Sequence, residues 1–61
     1  MAQSILDVED FSIGTRQILQ KHGLATVEEV ANWQPPADLH PLAFDNIEMV
    51  LDDLGFDWPK G

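Results

Sequence analysis

The sequence predicts an all-α fold, a compact bundle of four to five short helices. Three observations predict it. Apolar residues recur at three- and four-residue steps, most clearly at Phe44, Ile47, Val50, Leu51 and Leu54. Gly23 and Gly55 each stand at the end of such a run, where a helix closes. No stretch shows the apolar–polar alternation of a half-buried strand. The chain has 61 residues and is read as one domain over 1–61, with its core at about 5–58. A chain this short buries only about 60% of the surface it exposes when unfolded, so its core must be economical. At 44% hydrophobic residues, its composition is nevertheless that of a folding chain.

Each element has its own justification. The segment from Ser4 to Phe11 mixes Ile5, Leu6 and Val8 with Asp7, Glu9 and Asp10. That pattern fits an extended stretch or one loose turn, docked by its apolar side chains. Ser12 is placed to cap the first helix. Thr15, Ile18, Leu19 and His22 then share one helical face. Gly23 suits the left-handed closing position, and Leu24 supplies the hydrophobic contact beyond it. Lys21 and His22 suit the negative end of the helix.

Thr26-Val27-Glu28-Glu29 has the form of a capping box. A second helix is expected from Val27 to about Trp33, burying Val27, Val30 and Ala31. Pro35-Pro36 ends it, and Pro36 can open one further turn through Ala37, Asp38 and Leu39. The last helix carries the stripe from Phe44 to Leu54. Gly55 closes it, Phe56 and Trp58 return the chain onto the core, and Pro59 stops regular structure.

Composition excludes several classes. Without cysteine there is no disulfide framework and no thiolate metal site. No apolar run approaches the roughly 18–20 residues that span a bilayer. Met1-Ala2-Gln3-Ser4 lacks the basic start of a signal peptide, so a cytoplasmic domain without membrane contact is expected. Eleven acids against three bases give a formal net charge of −8, which repels polyanions such as nucleic acid.

The string Phe11-Ser12-Ile13-x-Thr15-x-x-x-Leu19-x-x-x-Gly23-Leu24-x-Thr26-Val27 resembles the C-terminal domain of the bacterial RNA polymerase α subunit. That family reads Leu-Ser-Val-Arg-Ser, then a leucine, then Gly-Ile-x-Thr-Val. The tail, Ile47-x-x-Val50-Leu51-x-x-Leu54-Gly55-Phe56-x-Trp58, is similar to its closing helix and Gly-Leu-x-Leu ending. Most matched positions belong to core or caps, so the resemblance speaks to fold more than to function. It implies a helix-hairpin-helix type of domain that binds the DNA minor groove and contacts transcription activators.

Carried over position by position, the DNA site is largely substituted. The family's minor-groove arginine falls at Gly14 and its assisting asparagine at Gln17. With a shorter middle segment, the glycine, lysine and serine of its phosphate-binding hairpin fall at His40, Leu42 and Ala43. A hairpin holds phosphate through free backbone N–H groups, and Pro41 removes one. A minor-groove reader needs Arg or Lys, and Arg16 is displaced around the helix.

Asp45, Glu48 and Asp52 line one helical stripe, thickened by Asp53. This is either a solvated face or a docking surface for a basic partner. Trp58 is expected to cover the end of the core, whereas Trp33 beside the prolines is open between packing and anchoring a partner. His22 and His40 have no ligand-type spacing, and their expected roles are cap or surface. No metal, cofactor or catalytic residue is expected, and a domain this small is expected to lack room for a pocket of several hundred cubic ångströms. The sequence thus predicts a non-enzymatic, transcription-related protein-interaction module. Its partner would be a protein with a basic or apolar surface, contacted through Trp33, Asp45, Glu48 and Asp52. Its DNA binding would be weak or absent. The alternative is a DNA-binding helix-hairpin-helix module acting in transcription.

Overall fold

Capping interactions set where each helix starts and stops. The computed structural model describes residues 3–58. Met1, Ala2 and the expected stop at Pro59 lie outside them. Ile5–Asp7 forms a 3-10 turn, with the Ser4 hydroxyl accepting the Leu6 N–H at 3.2 Å. Three α-helices follow: α1 (Ile13–Lys21), α2 (Val27–Ala31) and α3 (Pro41–Asp53). No strand occurs among the described residues; an isolated antiparallel bridge pairs Ser4 with Thr26.

Three helices and a 3-10 turn therefore stand where four to five helices are expected. The single turn expected after Pro36 is present, with Leu39 N–H bonding the Pro36 carbonyl at 3.1 Å, but it is a lone turn and adds no helix to the three. Pro41 disfavours helical geometry at the residue before it, and His40 sits at ψ 131°. Helix α2 also stops short of Trp33. Its last turn tightens as Trp33 N–H bonds the Val30 carbonyl at 3.1 Å, and the two prolines then draw the chain out.

The predicted caps are present. Ser12 Oγ accepts Thr15 N–H at 3.2 Å and lies 2.9 Å from the hydroxyl of buried Thr15. Thr26 and Glu29 form both halves of a capping box. Helices α1 and α3 end alike. Gly23 (φ 77°) and Gly55 (φ 89°) adopt left-handed geometry. Leu24 N–H then bonds Leu19 and Phe56 N–H bonds Leu51, the closing pattern of a Schellman motif.

These caps aim one apolar side of each element inward. Ile5, Phe11, Leu19, Val27, Val30, Ile47, Val50 and Leu51 are fully buried. Helix α1 packs on α3, and the chain before α2 is held by Ile5 N–H to Ala25 and Val27 N–H to Gln3. The predicted stripe on α3 is buried at Ile47, Val50 and Leu51, half-buried at Phe44, and exposed at Leu54 near the open end. The radius of gyration is 10.2 Å, close to the roughly 10.5 Å expected of a folded chain of this length.

Candidate interaction surface

Asn46 fixes how the two long helices meet. From the middle of α3, its Oδ1 accepts Ser12 N–H at 2.9 Å and its Nδ2 donates to the Asp10 carbonyl at 2.9 Å. The start of α1 is thereby fastened to the middle of α3. A groove of about 300 Å³ lies between α1 and the start of α3, walled by Ser12, Gly14, Thr15, Ile18, His40, Leu42 and Ala43. Four of the residues singled out in the sequence therefore come together: Gly14, His40, Leu42 and Ala43. Gln17 does not line this groove; it is exposed elsewhere on α1.

The groove is mostly apolar, with Ser12, Thr15 and His40 as its polar lining. His40 is the N-cap of α3, and its Nδ1 accepts the Leu42 N–H at 3.1 Å. With Pro41 lacking an N–H, two of the four free donors at that helix start are already unavailable. Ala43 is buried, while the Leu42 side chain is 73% exposed. Arg16 does not line this groove. It points about 200° away from Gly14 around the helix. Its guanidinium donates to the Val8 carbonyl at 2.7 Å, and its Nε is buried without a partner.

The outer face of α3 differs in character. Asp45, Glu48, Asp52 and Asp53 are all exposed, and no basic residue lies on the helix. Met49 rises among them, 59% exposed, and Asp10 joins Met49, Asp52 and Asp53 around a shared hollow. At the start of α3 a second apolar groove, of about 460 Å³, runs up to Asp45. Its walls are Pro35, Pro36, Leu39, Pro41 and Phe44. Both grooves are open to solvent and enclose no ligand-sized cavity. The second groove lies where the nine-residue connection from α2 to α3 runs beside Phe44.

Behind that groove lies an aromatic stack. Phe44 meets Trp58 at 5.1 Å between ring centroids, Trp58 stacks on Trp33 at 6.4 Å, and Trp33 meets His22 at 5.2 Å. Trp58 is buried, as expected of a core cover. Trp33 is half-buried and already in contact on two sides. Of its two sequence readings, packing has clear support, and only its remaining edge is open to a partner.

Sequence reasoning missed Asn46, the proline-walled groove and the exposure of Met49. A polar amide flanked by apolar stripe residues was the available signal for Asn46. Among the described residues, no group of three or more His, Asp or Glu side chains is arranged to hold a metal ion. No described helix is long and apolar enough to cross a membrane. No family model, curated protein or solved structure matches the chain.

Proposed function

We propose that this protein is a non-enzymatic protein-interaction module whose contact surface is the outer face of α3. The observation that carries the reading is the composition of that face. It presents Asp45, Glu48, Asp52 and Asp53 with no compensating base, and the last turn holds acids where the helix dipole favours cations. This arrangement costs local stability, and rules of local consistency are most often broken where a surface serves a partner. The favoured partner is a protein with a basic or apolar surface. A helix-hairpin-helix type of domain and a setting in transcription rest on the resemblance of the Phe11–Val27 and Ile47–Trp58 strings.

The test is capture of partners from the native host by the wild-type chain and by the Asp45→Lys/Glu48→Lys/Asp52→Lys variant. Loss of specific partners with the variant supports the reading. Retention of every partner contradicts it.

The alternative, DNA binding, has one observation in its favour: the convergence of Gly14, His40, Leu42 and Ala43 at two helix starts. Against it stand the committed Arg16 guanidinium and the −8 charge. Duplex titrated at low salt should leave the amide shifts around Gly14 and His40 unmoved. Saturable shifts there would establish the DNA reading instead.

A further inference from the structure

The proline-walled groove and the acidic stripe are parts of one surface. Phe44 and Pro41 form the α3 side of the groove, and Asp45 lies on its rim. From Asp45 the carboxylates of Glu48 and Asp52 continue along the helix axis. At 1.5 Å per residue they form a straight row about 10 Å long. The opposite wall is Pro35, Pro36 and Leu39, all half-buried. Three prolines have fixed φ, and Phe44 is backed by Trp58 at 5.1 Å between centroids, so the groove needs little ordering before it is occupied.

We infer that this surface docks a basic amphipathic helix of a partner protein, with one apolar side chain in the groove and Lys or Arg along the stripe. The inference rests on the interaction-module reading. Charge complementarity selects the occupant. A second copy of this chain would set one acidic face against another, and an anionic ligand would meet the same repulsion. A helix fits because residues at i, i+3 or i+4, and i+7 on one face repeat with the spacing of Asp45, Glu48 and Asp52. The carboxylates steer approach and set register; the apolar side chain supplies most of the affinity.

The experiment uses the 61-residue chain, 15N-labelled, and two synthetic alanine-based peptides of about fifteen residues. One carries a leucine near its end followed by lysines at helical spacing; the other has serine in place of that leucine. The leucine peptide should shift the amides of Ala37, Leu39, Phe44, Asp45, Glu48 and Asp52, and gain helicity by circular dichroism. It should bind at least ten-fold tighter than the serine peptide. Exposed Ala37 lines the groove, and Ala37→Arg should weaken the leucine peptide at least ten-fold. Ile13→Ser, at an exposed apolar residue outside this groove, should leave binding unchanged. Equal binding of both peptides with shifts only along the stripe overturns the groove as an anchor. Absence of binding, or shifts centred elsewhere, overturns the inference entirely. The interaction reading itself is tested with host partners and not with these peptides, so the two failures are distinguishable.

Discussion

The indole N–H of Trp58 donates to the main-chain carbonyl of Trp33 at 3.0 Å, tying the C-terminal segment to the chain leaving α2. The same indole lies between Trp33 and Phe44, so one side chain closes the core and also supports the wall of the proline groove. Stability and the proposed surface are therefore linked through Trp58.

Trp58→Phe keeps a ring but removes the hydrogen bond, and should cost about 1–2 kcal/mol in urea denaturation. Trp58→Ala should cost about 3–5 kcal/mol. At the usual ~0.05–0.15 kcal/mol per residue, this chain has only about 3–9 kcal/mol in total. The alanine variant should therefore show a strongly reduced or absent folded baseline.

The closing glycines separate backbone conformation from space. Beyond the adjacent residues, nothing lies within 4 Å of where a Cβ would stand at Gly23 or Gly55, so substitution there meets no clash with the rest of the fold. Both have positive φ, however, and Gly23→Ala or Gly55→Ala should each cost about 1–2 kcal/mol. Gly14 also has open space but lies within α1, so Gly14→Ala should stabilise by about 0.5–1 kcal/mol. Thermal midpoints of the three variants give the comparison. Equal destabilisation by all three would contradict the conformational account.

Asn46→Ala should cost about 1 kcal/mol, because Ser12 N–H and the Asp10 carbonyl lose their partner near solvent. It should also loosen the join of α1 to α3. Faster amide exchange at Ser12 and the residues after it would show this; unchanged exchange would count against Asn46 as the fastener.

Asp53→Lys places a cation at the C-terminal end of α3 and relieves repulsion among its acids. It should stabilise by about 0.5–1 kcal/mol at low salt, with the gain shrinking in 1 M NaCl. A salt-independent gain would point to packing instead of charge.

Much of this fold was legible because local chemistry decided it. Ser12, Thr26, Gly23 and Gly55 act within one turn of themselves, and each cap follows from adjacent residues alone. The Ile47, Val50 and Leu51 stripe was readable for the same reason. The single turn opened by Pro36 was legible for the same reason, and Pro41 holds His40 extended before α3 begins. The groove and the Asn46 clasp depend on distant segments meeting, which no periodicity encodes. The acidic face was readable as composition, but its continuity with the groove required the position of segment 34–39 against Phe44.

The central claim is tested most directly by mapping amide shifts of the labelled chain against a partner recovered from the host. The account predicts shifts concentrated at Asp45, Glu48 and Asp52 and extending to Phe44, with binding weakened as salt rises. Shifts confined to the Gly14–His40–Leu42 groove, with Asp45, Glu48 and Asp52 unmoved, would contradict it.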